Sequence, residues 1–248
     1  MDPRPHIIAT RLARIHRVIA VASGKGGVGK SMVAATLAAA LAKNHQVGLF
    51  DLDVYGPSAH LILGAHHLTP QEDKGLVPPH IDSLAFMSPV FFTEDRPSPL
   101  RGTAVTDMIL ELLAITQWGH LDYLILDMPP GIGDETLDVL RFLPRCQFLI
   151  VTTPSKVSMG AVDKLLDILQ ELHRPIIGVL ENMATGPTSH KGTITKRGLP
   201  YLGSLPLDTS LEAALGNPDR LLATPFGKAL QKILPLIEGY GTAASASR

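Results

Sequence analysis

The sequence predicts an α/β fold: a doubly wound, mostly parallel sheet flanked by helices. Two patterns carry that prediction. Short apolar runs rich in Val, Ile and Leu recur along the chain, each closing on Gly, Asp or Pro and leading into a segment of helical period. These runs are apolar at successive positions instead of alternating, as expected of strands covered on both faces in a parallel sheet. Right-handed crossovers then wind helices onto both sides and leave ligand sites at the C-terminal ends of the strands.

The first strand is read at 17–22, and it runs through a glycine-rich turn into an alanine-rich helix at 30–42. A second strand at 46–51 closes on Asp51, and a short helix at 58–63 follows Pro57. Residues 64–79, punctuated by Gly64, Pro70, Gly75, Pro78 and Pro79, read as a loop. A strand at 84–87 precedes a proline-broken surface loop at 94–99 and a helix at 102–116. The strand at 123–127 closes on Asp127 and meets the stiff turn Pro129-Pro130-Gly131, with a helix expected at 136–143. Strands at 147–152 and 176–181 flank a helix at 158–172; a weaker strand at 201–203 and a helix at 225–234 complete the series. The small, polar tail 241–248 is expected to be disordered. The organisation expected is an N-terminal extension (1–16), one domain (17–240) and that tail.

Composition narrows the function classes. With 45% hydrophobic residues in 248, the chain can bury a sizeable core in one domain without staples. A formal charge of −1 excludes a broadly basic nucleic-acid surface. The single cysteine, Cys146, excludes a disulfide framework and fits a reducing compartment. The basic start of the chain lacks an apolar signal core, and the longest apolar stretch, 32–41, is about half a membrane span. A cytoplasmic protein with neither membrane nor nucleic-acid partner is expected.

The decisive motif is Gly24-Lys25-Gly26-Gly27-Val28-Gly29-Lys30-Ser31 between a strand and a helix. This is the G-x-x-x-x-G-K-[ST] phosphate loop in its required context. Glycines let backbone N–H groups converge on a phosphate, and the helix N-terminus adds a positive dipole end. Lys30 is expected at the β- and γ-phosphates, Ser31 on Mg²⁺, and the Met32 N–H among the phosphate donors. Lys25 has two readings, a solvated loop lysine or a charge that neutralises phosphate across a dimer interface. Asp127, released at a strand end in the same sheet, is placed for the Mg²⁺ hydration shell. Asp53 is placed to orient or deprotonate an attacking water, with a helix N-cap as its other reading. Asp51 reads equally as a metal-shell group or a backbone-bonded strand-end carboxylate. Asn182 follows an apolar strand and reads as a partner for a base edge or as a turn former.

Together these strings resemble the Mrp/ApbC-type branch of the MinD/ParA-like P-loop ATPases, dimeric proteins with a deviant Walker A loop. The resemblance spans 18–234 and rests on GKGGVGKS at 24–31, DLDVYGPS at 51–58, RG at 101–102, WGHLDYLILDMPPGIGD at 118–134 and VTTPSKVSMGAVDK at 151–164, followed by ENM at 181–183 and LGSLPLD at 202–208. It implies an ATP sandwich dimer in which Lys25 contacts nucleotide on the partner subunit. It also implies a hydrolytic role for Asp53, a magnesium-shell role for Asp127 and an adenine contact for Asn182, with Pro206 and Asp208 lining the base pocket. ATP and Mg²⁺ are the implied ligands, ATP hydrolysis the implied activity (expected to be slow, because a switch gains from a long-lived ATP state), and a homodimer or a heterodimer with a related ATPase the implied assembly, acting on an unidentified client.

One departure bears on cargo. Cluster-carrying members of that branch place Cys-x-x-Cys shortly after ENM, where this chain has Thr188 and Lys191. Neither supplies the thiolate that an iron–sulfur cluster needs. The leading expectation is therefore an ATP-hydrolysing dimeric switch akin to iron–sulfur carriers, with stand-alone cluster binding put in doubt by those two replacements and a partner-held cluster or another cargo left open. The alternative is a MinD/ParA-like positioning or regulatory ATPase acting on another protein, a membrane or DNA. Against a membrane anchor stands the segment 227–237, which Pro235 is expected to interrupt.

Overall fold

The computed structural model describes residues 2–93, 101–131, 133, 136–137, 141–186 and 190–241. In chain order the elements are α1 (Arg4–Leu12), β1 (Ile15–Ser23), α2 (Lys30–Leu41), β2 (Val47–Asp51), α3 (Ala59–Leu63), β3 (Gln71–Glu72), β4 (Leu76–Val77), β5 (His80–Ile81), β6 (Leu84–Met87), α4 (Val90–Thr93) and α5 (Thr103–Ile115). There follow β7 (Leu121–Asp127), β8 (Gln147–Thr152), α6 (Lys156–Glu171), β9 (Ile176–Ala184), α7 (Lys191–Lys196), β10 (Tyr201–Pro206), α8 (Leu211–Ala214), α9 (Pro218–Ala223) and α10 (Pro225–Glu238).

Eight strands form one sheet in the order β10-β9-β8-β1-β7-β2-β6-β5. Every pairing in it is parallel except β5 with β6. The order places β1 at the centre, between β7 and β8, so the loop leaving β1 emerges mid-sheet, where flanking strands can supply side chains. Successive residues of β1 face opposite ways. Ala20 and Ala22 join Leu124, Leu126 and Ile150 in one core layer, while Ile19 and Val21 join Ile125, Leu149 and Val151 in the other. Burial on both faces explains why these strands read as unbroken apolar runs. Helix α2 is enclosed from Val33 to Leu41, and its alanines let it lie close to the sheet and to α3, α9 and α10.

The structure departs from the sequence reading in a few places. The segment 64–79 contains the small antiparallel pair β3–β4, turned at Lys74 and Gly75; two residues per strand are too few to show periodicity. The segment 1–16 holds α1, which buries Ile8 against α5 and ties Arg4 to Asp107 at 2.8 Å. Helix α10 runs through Pro235 to Glu238, where an interruption was expected. Proline removes the bond to the carbonyl one turn earlier and crowds that carbonyl with its ring. Ile233 and Ile237 on the buried face, and the bond from Gly239 N to Pro235 O, carry the last turn past it. Of the helix expected at 136–143, Thr136, Leu137, Arg141 and Phe142 are helical and 138–140 lie outside the described residues. The loop 94–99 and the tail from 242 onward also lie outside them. Among the described residues no helix is long and apolar enough to cross a membrane.

Candidate nucleotide-binding site

β1 delivers the chain into the loop 24–31 at the C-terminal edge of the sheet. Gly27 and Gly29 take φ of +77° and +78°, backbone that glycine adopts without steric cost. Space demands glycine too. A Cβ on Gly29 would stand 2.3 Å from Asn182 Nδ2, and one on Gly24 would stand 2.3 Å from the backbone carbonyl carbon of Ala161 in α6. Because the obstacle at Gly24 is main chain, Gly24→Ala is expected to lower stability by about 1–3 kcal/mol. Urea unfolding reads this directly, and an unchanged midpoint would mean that α6 yields freely.

The loop borders a cavity of ≈ 340 Å³ lined by residues 25–32 together with Ser23, Asp53, Gly56, Ser58, Ile62 and Pro130. Lys25, Lys30, Ser31, Met32 and Asp53 thus share one wall system. Beneath it lie Asp51 and Asp127, paired in register on β2 and β7 and both fully buried. Lys30, also buried, forms an ion pair from Nζ to Asp127 Oδ1 and donates to Ser31 Oγ at 3.3 Å. Asp127 Oδ2 has no hydrogen-bond partner among the described residues. A buried, unsatisfied carboxylate oxygen beside the loop serine is the donor chemistry that a magnesium hydration shell takes up.

Burial pushes the Asp51 carboxyl well above the usual carboxylate range, and the neighbouring Asp127 charge adds to this against the pull of Lys30. Asp127 is likewise raised by burial, with Lys30 opposing. The Asp51 carboxylate accepts the Asp53 N–H at 3.0 Å and the Ala59 N–H at 3.3 Å, so it also serves the first turn of α3. Asp53 caps no helix. Its Oδ1 accepts from Tyr55 N at 3.1 Å and Gly56 N at 3.0 Å, which fixes the carboxylate in a tight turn at the cavity wall. Tyr55 in turn lies under the Arg101 guanidinium, 5.7 Å from the ring centroid. That contact links the turn to the N-terminal end of α5; nothing in the sequence pattern joins these two distant residues.

The other sequence-predicted residues sit further out. Asn182, buried at the end of β9, donates from Nδ2 to Val28 O at 2.8 Å and so braces the loop from behind. Met183 beside it holds φ +57°, a strained choice for a long side chain. Pro206 ends β10. Asp208 accepts from Ser210 N at 2.9 Å and Phe226 N at 3.0 Å, joining the β10 exit to α10. None of these three lines the phosphate cavity.

Thr188 lies outside the described residues, and Lys191 is exposed at the start of α7. Cys146 is buried, and burial pushes its thiol up to about 12. Among the described residues no group of three or more His, Cys, Asp or Glu is placed to hold a metal.

Residues 14–237 match the family described as ParA: NUBPL iron-transfer P-loop NTPase. The chain belongs to that family. It is 37% identical over 224 residues to the iron-sulfur cluster carrier protein of Rickettsia conorii, covering 88% of this chain and 70% of the relative. It is 34% identical to the iron-sulfur cluster carrier protein of Pyrococcus furiosus, with 94% and 89% covered. Among solved structures, a nucleotide-binding protein from Archaeoglobus fulgidus in complex with ADP aligns at TM-score 0.73 and 29% identity over 94% of this chain and 93% of that one. The cell division ATPase MinD of Pyrococcus furiosus, at 21% identity and TM-score 0.67 over 90% of this chain and 98% of that one, shares the fold. This chain is therefore a P-loop NTPase of the MinD/ParA-like fold, in the branch whose curated relatives are named for carrying iron–sulfur clusters.

Proposed function

We propose that the protein is a Mg²⁺-dependent, slowly turning-over ATPase that works as a dimeric switch in iron–sulfur delivery, without thiolates of its own to hold the cluster. The observation that carries the ATPase half is the convergence of Lys30, Ser31 and Asp127 beneath a glycine cradle, with Asp53 on the same cavity wall. The N–H groups from Gly26 to Met32 bind the phosphates of ATP. Lys30 exchanges its Asp127 partner for the β- and γ-phosphate oxygens. Ser31 would hold Mg²⁺ with Asp127 behind it, and the ion neutralises phosphate charge when bound. Asp53 orients a water against the γ-phosphorus and accepts its proton as the bond to the ADP oxygen breaks. Lys25 reaches nucleotide bound by the partner subunit. Asn182, Pro206 and Asp208 form the base end of the site.

The delivery half rests on family membership and on the names of the relatives. Since this chain brings one buried cysteine, the sulfur ligands come from the client or from a related ATPase subunit.

Phosphate release by wild type and Asp53→Ala tests the catalytic assignment. The variant is expected to keep ATP binding and lose turnover by about 10²–10⁴-fold, the range of a positioned general base. Equal rates would refute the role given to Asp53.

A further inference from the structure

The end of the sheet opposite the phosphate loop carries charges and hollows that nucleotide turnover does not use. Three cavities, of ≈ 700, ≈ 400 and ≈ 360 Å³, border α1 and its joint with β1. The first two share Arg14, and the last two share Ala13, Ile15 and His16, so they lie side by side around the C-terminal end of α1.

The lining of these hollows is basic. It contains Arg11, Arg14 and Arg145 with His6, His16 and His120, against one carboxylate, Asp122. Asp122 is already engaged, accepting Gln46 N–H at 2.9 Å and lying 3.8 Å from His45 Nδ1. The acids nearest α1, Asp2 and Asp107, are both paired with Arg4, and Glu111 on α5 is not part of the lining. Arg14 and Arg145 are exposed and make no ion pair among the described residues. A chain of net charge −1 has thus gathered cations at one end, which draws anionic partners.

Shape selects among anions. A row of neighbouring hollows suits an extended chain better than a compact ligand. The third cavity is largely apolar, with Leu12, Val18, Phe142 and Leu143 in its walls, so it accepts an apolar side chain. A single-stranded nucleic acid is held by exposed aromatic rings for stacking as well as by cations. The one aromatic ring on the basic part, Trp118, is only 5% exposed.

We infer that this end of the molecule docks an extended acidic protein segment carrying an apolar anchor residue. The nine residues of β1 separate it from the phosphate loop by about 25 Å at the usual rise per residue. Partner and nucleotide can therefore be held together.

The test uses a dye-labelled synthetic peptide of glutamates around a central leucine. Its anisotropy reports binding, and emission from Trp118, the sole tryptophan, reports the place. Saturable binding with a change in Trp118 emission is expected, weakening with added salt. Arg14→Glu/Arg145→Glu reverses two exposed charges that make no ion pair among the described residues, and is expected to weaken binding about tenfold or more while ATP turnover stays unchanged. No binding, or binding indifferent to the double variant, overturns the inference. So does a single-stranded DNA oligonucleotide that binds more tightly than the peptide with the same dependence on Arg14 and Arg145, which would make this a nucleic-acid surface instead.

Discussion

Replacing Lys30 by Met is expected to cut ATP turnover by at least about 10²–10³-fold and to lower the stability of the nucleotide-free protein by about 3 kcal/mol. The two losses have different origins. Turnover falls because the ammonium that neutralises the transferring phosphoryl group is gone. Stability falls because Asp127, fully buried, loses its ion-pair partner while Asp51 lies in register beside it. An uncompensated buried carboxylate resists either by protonating or by unfolding. That choice sets the pH dependence. The Asp127 carboxyl is already raised above the ordinary 3.8 by burial, and without Lys30 opposing it rises further. A carboxyl whose native pKa exceeds its unfolded value binds more protons when folded, so stability grows as pH falls through the native pKa. That gain is complete once pH is below the unfolded value. The stability deficit of Lys30→Met relative to wild type is therefore expected to shrink towards acid, as read by chemical denaturation across pH. Lys30→Met/Asp127→Leu separates the two roles: it removes the whole pair, so it is expected to recover stability but not turnover. A deficit independent of pH would show that the pair does not govern stability.

The strands that flank the site were legible because each is apolar on both faces and closes on a residue that stops it. The strands 84–87 and 147–152 were bounded in the sequence as the structure has them. The cradle was legible for the same kind of reason, since Gly27 and Gly29 mark positions where the backbone must be left-handed. What the sequence hid depends on contacts between distant segments. Gly24 reads as a loop glycine, whereas the backbone of Ala161 is what forbids a side chain there. Asn182 reads as a base contact or a turn former, and no local pattern announces that its Nδ2 also holds the Val28 carbonyl. Pro235 reads as a stop, yet packing of Ile233 and Ile237 outweighs one missing hydrogen bond. Local rules bounded the elements, and burial decided where those rules gave way.

Anaerobic reconstitution with iron and sulfide is expected to leave the isolated protein colourless, with far less than one iron per subunit. A cluster bridging two subunits draws on four thiolates, two from each, and each chain here has one cysteine. That cysteine is also in the wrong state. Cys146 is 1% exposed, and burial raises its thiol to about 12, so at neutral pH it stays the thiol and not the thiolate that binds metal. Cys146→Ala is accordingly expected to change neither iron content nor turnover. Lys191, exposed at the start of α7, brings a positive charge to a position where the cluster-bearing pattern has a ligand. The opposite substitution gives the complementary outcome: Thr188→Cys/Lys191→Cys is expected to take up iron and labile sulfide under the conditions in which the native chain does not. Stoichiometric iron and sulfide in the native protein alone would sink the proposal that the sulfur ligands come from elsewhere. Iron appearing only when a cysteine-bearing ATPase or client is reconstituted alongside would support it, because such a partner supplies the thiolates that one buried Cys146 cannot.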